Sequence, residues 1–329
     1  MKPRTAGRIA AFILACATAT GAVAQDTYPN KPIRLIVGLA PGGLADQIAR
    51  LLAPGLGKEL GQQILVENRT GATGTIAARM VADSPPDGYI LMLGLDGTLI
   101  IPTALNPKTP FDPLKDFTHI TKVAQTPLIL VAHPSVPVNS LVELINSSRA
   151  AGGPQYYYGT AGNGSSTHLA GEYLKQLTGL KMTHVAYKGA GEATRDNVGG
   201  QIPLTFSAMP SALPFVKSGK LKGLAVSGDK RFAGLPDVPT AAESGLPSLK
   251  AYNLQAWGGL WGPPGMPEPI VKRIHGAATK VLADRDLIEK YANIALTVST
   301  NTPAQLAKQV ATELEQWRRV IREAGIKQE

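Results

Sequence analysis

Two glycine-rich stretches hold the residue types best suited to grip an anion. One is Ala40-Pro41-Gly42-Gly43-Leu44-Ala45-Asp46; the other runs from Gly159 through Thr160-Ala161-Gly162-Asn163-Gly164-Ser165-Ser166-Thr167 to His168. Each follows an apolar run and opens a helical pattern. Glycine lets backbone approach a ligand closely, and the first turn of a helix leaves N–H donors unpaired at the positive end of its dipole. That chemistry suits a carboxylate. In the second stretch Ser165, Ser166 and Thr167 add hydroxyls, one of which can cap a helix starting near His168 while another binds. The Pro41-Gly42-Gly43 turn also reads as a purely structural strand-to-helix connection. Asp46 reads as a local cap or a solvent-facing residue rather than a base.

Other chemistries find little support. G-x-x-x-x-G-K-[ST], G-x-S-x-G and H-E-x-x-H are all missing. His119, His133, His168, His184 and His275 show no pair at metal-ligand spacing and no nearby carboxylate cluster, so no metal site is expected. A secreted hydrolase would have to use Ser165 or Ser166 with His168, but residues two or three apart at a helix start point to different faces. The lysines and arginines are scattered, without the basic stripe and interleaved aromatics of a nucleic-acid surface.

Elements able to position the two turns alternate along the chain. Ile33 to Val37 reads as a buried strand, followed after the glycine turn by Leu44, Ile48, Leu51, Leu52 and Leu56 at helical spacing, with a kink expected at Pro54. Strands are expected at Ile64 to Val66, Ile90 to Leu93 and Leu128 to Val131, with a helix over Ala72 to Ala82. The second half repeats the alternation: Tyr156 to Tyr158, a helix around Leu169 to Leu177, then strands near Met182 to Ala186, Leu204 to Phe206 and Leu221 to Val226. Thr302-Pro303-Ala304-Gln305 supplies a capping box for a long C-terminal helix. The pattern is α/β in two blocks.

At the N-terminus, Lys2, Arg4 and Arg8 precede an apolar stretch from Ile9 to about Ala19 and then Ala22-Val23-Ala24, which reads as a signal peptide spanning residues 1–24. Lipid attachment at Cys16, the only cysteine, is the rival reading. Cleavage after Ala24 would leave no thiol and 305 of the 329 residues, about two domains. It would also remove three of 33 basic residues, leaving 30 against 24 acidic ones, a net charge of +6.

The two turns and their surroundings resemble the periplasmic substrate-binding proteins of tripartite tricarboxylate transporters, the Bug family, from about Tyr28 to Ile326. The segments that carry the resemblance are Tyr28 to Val37, Pro41-Gly42-Gly43, Val66-Glu67-Asn68-Arg69, Pro86-Asp87-Gly88-Tyr89, Gly162-Asn163-Gly164-Ser165-Ser166, Tyr187-Lys188-Gly189 and Leu235-Pro236-Asp237-Val238-Pro239-Thr240. The resemblance implies a two-lobed α/β periplasmic-binding-protein (Venus-flytrap) fold with a ligand cleft between the lobes, no cofactor and no enzymatic activity. It implies a monomer that captures a small carboxylate by closure and hands it to a membrane permease of the tripartite tricarboxylate type; a sensor role beside a receptor kinase is the alternative.

Lobe 1 is expected to comprise residues 25–125 and 251–329, and lobe 2 residues 126–250, with chain crossings near Ala124 to Leu128 and Ala251 to Ala256. Carried over by position, the resemblance implies ligand contacts at Leu39, Pro41, Gly42, Gly43, Leu44, Ala45, Asp96 and Thr98, and from the second lobe at Ala161, Gly162, Ser165, Ser166, Thr167 and Ser207. Lys188 reads either as part of the site or as a surface or hinge residue. Two positions depart from the family: Gly38-Leu39-Ala40 stands where a proline-phenylalanine pair is frequent, and Ser207 follows Phe206 where aspartate is frequent. Both departures point to a larger, less polar carboxylate, such as an aromatic dicarboxylate.

Overall fold

The computed structural model describes residues 28–250 and 252–326; the expected leader lies outside them. The chain first runs through β1 (Ile33–Val37), α1 (Leu44–Leu60), β2 (Ile64–Asn68), α2 (Thr75–Ala82), β3 (Ile90–Leu95), α3 (Asp96–Leu99), α4 (Ile101–Leu105) and β4 (Thr118–Ala132). Next come α5 (Leu141–Arg149), β5 (Tyr156–Thr160), α6 (Ser166–Thr178), β6 (Met182–Ala186), α7 (Ala190–Val198), β7 (Leu204–Ala208), α8 (Met209–Lys217) and β8 (Lys222–Val226). It ends with β9 (Gln255–Gly262), α9 (Glu268–Leu282), α10 (Arg285–Asn293), β10 (Thr297–Val298) and α11 (Pro303–Ala324).

The strands lie in the order β2-β1-β3-β9-β4-β7-β5-β6, with β8 and β10 also pairing to β4. β1 is parallel to both neighbours, and β5 is parallel to both of its own, as right-handed strand-helix-strand connections require. β4 joins the two blocks. Its residues from Thr118 to Pro127 pair antiparallel with β9, and those from Leu128 to Ala132 pair with β7 and β8. Where the partners change, the Leu128 N–H donates to Ser227 Oγ (2.9 Å) and Thr126 Oγ1 donates to the Ala295 carbonyl (2.7 Å).

The result is two α/β lobes. β1 is buried on both faces, which explains its nearly unbroken apolar run. Ile33, Leu35 and Val37 pack with Ile48 and Leu52 of α1, Ile274 of α9 and Tyr291 of α10, while Ile36 faces a second core. That second core runs through Trp257 and Trp261 of β9 into Tyr158, Leu169 and Phe206 of the other lobe. Ile129 and Val131, of opposite parity on β4, pack instead against Met209 and Leu213 of α8.

Local signals explain the boundaries. α1 continues through Pro54 and stops at Gly61, whose φ of 76° is left-handed. α11 starts at the expected Thr302/Gln305 capping box. The helix expected over Ala72 to Ala82 is shorter: it begins at Thr75, because Gly71, Ala72, Thr73 and Gly74 all have positive φ and form a tight turn. No described helix is long and apolar enough to cross a membrane.

Candidate functional site

The carboxyl ends of β1, β3, β5, β6 and β7 all open toward one cavity of about 260 Å³, where ligands of open α/β sheets are expected. Its first wall is the turn after β1. Gly42, at a φ of 78°, donates its N–H to Asp46 Oδ2 (2.9 Å), and Asp46 also accepts from Arg50 Nε (2.9 Å) and Asn68 Nδ2 (3.0 Å). Burial opposes charge on Asp46, but these hydrogen bonds outweigh it and hold its pKa below the ordinary value. Asp46 thus braces the turn. Gly43, the residue before α1, offers no side-chain cap, so the first N–H groups of this 17-residue helix remain available.

The facing wall is the turn after β5. Ser165 Oγ donates to the Gly162 carbonyl (2.7 Å), accepts the His168 N–H (3.2 Å) and lies 2.9 Å from Thr167 Oγ1, which in turn accepts the Ala161 N–H (3.1 Å). The hydroxyls of Ser165 and Thr167 therefore build the loop. That of Ser166, half-buried at the cleft, has no partner among the described residues. His168 Nδ1 accepts the Gly164 N–H (3.2 Å), and its ring stacks on His184 at 4.0 Å. Burial, reinforced by Lys175, lowers the His168 pKa to about 4; burial and then His168 lower that of His184 to about 3. Neither serine hydroxyl is bonded to an imidazole, so no nucleophile-base pair forms here.

A third turn follows β6. Gly189, extended and without a capping side chain, precedes α7, and Lys188, Glu192 and Arg195 border the cavity there. The Glu192 carboxylate accepts the Lys188 N–H (3.3 Å), whereas Lys188 and Arg195 form no salt bridge among the described residues. Three helices of nine or more residues thus direct their N-termini at one cavity bordered by two cations and one anion.

Of the residues singled out from sequence, Leu39, Pro41, Gly42, Gly43, Leu44, Thr98, Ala161, Ser165, Ser166 and Thr167 line this cavity. Four do not. Ala45 lies one position further into α1, on the face packed with Ile48 and Ala49. Gly162 is buried beneath the loop, its N–H taken by Thr160 Oγ1. Ser207 is fully buried with its hydroxyl 3.2 Å from Thr194 Oγ1; strand alternation puts Ala208, not Ser207, at the cavity.

Asp96 is also buried and turns inward, accepting the Trp257 N–H (3.3 Å), while the adjacent Gly97 and Thr98 form the wall. The Trp257 indole N–H donates to the Glu313 carboxylate (2.9 Å), and Lys122 Nζ lies 5.5 Å over the same ring. Burial first, then Glu313, pushes the Asp96 pKa up to about 7. Burial likewise raises Glu313 and lowers Lys122.

Thr73, Ala190, Gly191, Glu192, Arg195, Leu95, Gly97, Ala208 and Ala256 complete much of the wall without having been singled out as ligand contacts. The signal for Ala190 to Glu192 was present in Gly189-Ala190-Gly191, a third glycine-rich turn between strand and helix.

The family model for the tripartite tricarboxylate transporter family receptor matches residues 48–326. BugT of Bordetella pertussis is 34% identical over 317 residues, covering 96% of this chain and 96% of BugT. A solved R. palustris protein with adipate superposes with a TM-score of 0.85 at 32% identity, covering 91% of this chain and 99% of the other. MatC from Rhodopseudomonas palustris, solved with bound malate, gives 0.82 at 33% identity, covering 89% and 100%.

Proposed function

The chain belongs to the tripartite tricarboxylate transporter receptor family, a family of periplasmic solute-binding proteins, and from that premise we propose that it captures a small dicarboxylate in the cleft and delivers it to a membrane permease. The observation that carries this reading is the convergence of the α1, α6 and α7 N-termini on one 260 Å³ cavity. One carboxylate would take the first-turn N–H groups of α1 and α6 together with the Ser166 hydroxyl. The other would reach Arg195 or Lys188 at the α7 side. Leu39, Pro41, Leu44 and Leu95 offer an apolar lining for the spacer between them.

Adipate and malate, found in the two R. palustris relatives, bracket a suitable range of spacer lengths. Leu39 and Ala40 of the Gly38-Leu39-Ala40 stretch border the cavity, so the loss there of the aromatic wall of a proline-phenylalanine pair leaves space for a longer spacer. Ser207 is out of reach and has no such bearing. Charge-assisted hydrogen bonds of roughly 1.5–3 kcal/mol each, offset by desolvation of the anion, lead to micromolar affinity, near −8 kcal/mol. The protein acts as a monomer outside the cytoplasmic membrane, reached through the expected leader, and as a binder rather than an enzyme.

Calorimetric titration with malate, adipate, an aromatic dicarboxylate and hexanoate tests the reading. Micromolar binding of at least one dicarboxylate, with hexanoate at least tenfold weaker, is expected. R195Q should narrow that gap. Equal affinity for hexanoate and adipate would eliminate the second anionic contact, and silence across all four would eliminate the carboxylate reading.

A further inference from the structure

Gly71, Ala72, Thr73 and Gly74 have φ angles of 137°, 45°, 53° and 91° in succession. Glycine adopts such angles without cost, but threonine carries two heavy atoms on Cβ and is a genuine outlier there. Of the three non-glycine residues with positive φ among the described residues, two are adjacent in this turn.

The surroundings hold the turn in place. A Cβ on Gly74 would lie 2.5 Å from Thr98 Cγ2, one on Gly38 would lie 2.9 Å from Gly74 Cα, and one on Gly71 would lie 2.6 Å from Ile76 Cδ1. The loop is therefore pressed against the same wall that Thr98 gives to the cavity. Its conformation aims Thr73 into the cleft, where Thr73 borders the cavity and Oγ1 donates a long hydrogen bond (3.4 Å) to the Asn163 carbonyl. Asn163 belongs to the anion-binding loop of the other lobe. Among the described residues this is the one side-chain hydrogen bond joining residues 28–125 to residues 128–250. A strained β-branched residue whose only side-chain hydrogen bond crosses the cleft keeps that bond only while the lobes are together, and the bond offsets part of the backbone cost there.

We propose that Thr73 is a cross-cleft clasp: a strained backbone position is kept because it aims the Thr73 hydroxyl at the Asn163 loop, which it holds when the cleft closes over ligand. The proposal rests on the cleft being the ligand site, and it sets Thr73 as a residue that governs retention rather than one that anchors the carboxylate.

The test compares Thr73→Gly, Thr73→Ser and Thr73→Val in the otherwise intact chain. Two readouts need no ligand: the melting temperature, and the fraction of closed molecules in the distance distribution between spin labels at Lys108→Cys and Lys181→Cys. T73G, freed of strain, should melt about 2–4 °C higher than the parent yet show a smaller closed fraction. T73V, which keeps the branch and loses the hydroxyl, should also show a smaller closed fraction, without the gain in melting temperature. T73S should keep the parent's closed fraction.

With adipate as probe, T73G and T73V should lose about three- to tenfold in affinity, mostly through faster release, and T73S less than twofold. A purely structural role would move stability and affinity in the same direction. If the parent binds no adipate, the dicarboxylate reading suffers while the closed fractions still decide the clasp. A T73G protein less stable than the parent, or a T73V protein with the parent's closed fraction, overturns the proposal.

Discussion

Gly97 and Ser166 meet across the cleft: a Cβ built on Gly97 would stand 3.2 Å from the Ser166 backbone nitrogen. Gly97 lies in α3 without a left-handed φ, so alanine fits the backbone and even favours the helix. G97A should therefore melt at or slightly above the parent's temperature without ligand, while its dicarboxylate affinity falls about tenfold because the lobes cannot approach fully. Paired melting curves and titrations check this; unchanged affinity would show that the 3.2 Å approach is not needed for binding.

The hydroxyls of Ser165 and Ser166 divide structure from function. Ser165 caps α6 and ties down the Gly162 carbonyl, so S165A should lose about 1 kcal/mol of stability as well as affinity. The Ser166 hydroxyl has no partner among the described residues, so S166A should keep the melting temperature and weaken binding alone, by about three- to tenfold. Denaturant unfolding beside calorimetry separates the two; equal destabilisation by both would refute the division.

Asp96 makes stability fall as pH rises. Its folded pKa of about 7 lies above its ordinary 3.8, so its contribution is fully present below 3.8 and lost as pH climbs through 7. Glu313, also raised by burial, acts in the same direction. D96N retains an acceptor for the Trp257 N–H, and its melting temperature should decline less between pH 5 and pH 8 than the parent's. Parallel profiles would show that Asp96 does not titrate in that window.

His168 and His184 have the opposite sign. Lowered from 6.5 to about 4 and about 3, they contribute stability that is present above 6.5 and lost as pH falls through the folded values. Protonation at Nδ1 would also displace the Gly164 N–H from His168 and loosen the second turn. A melting series from pH 7 to pH 4 in the D96N background should slope down toward acid, and H168N added to it should flatten that slope. A D96N profile flat to pH 4 would count against neutral, buried imidazoles.

Apolar runs and glycine punctuation made most of the strands and both principal turns legible in the sequence. Met182 to Ala186 is a strand over its whole expected length, and Thr302 caps α11 as its spacing indicates. β9 escaped notice because its glycines and tryptophans, Gly258-Gly259-Leu260-Trp261-Gly262, break the usual alternation while lying buried between β3 and β4. Side-chain direction was harder. Ser207 and Ala208 differ by one step on a strand, and that step decides which one meets the cavity. Thr73 sits in a stretch whose composition suits a helix, and no periodicity reports a left-handed backbone. The grouping of Asp96, Lys122, Trp257 and Glu313 was invisible because its members are scattered along the chain and meet only through the tertiary fold.

β9 lies between β3 and β4 in the sheet but follows both by more than a hundred residues. A ribosome making the chain from its N-terminus therefore releases β1, β2 and β3 as a half-sheet whose next strand does not yet exist. Until Gly262 has emerged, the edge of β3 is unpaired and β4 has no neighbour on that side, so long-range closure must wait for nearly the whole polypeptide. That delay leaves the bare edge of β3 as the segment most in need of shielding while the chain is unfinished.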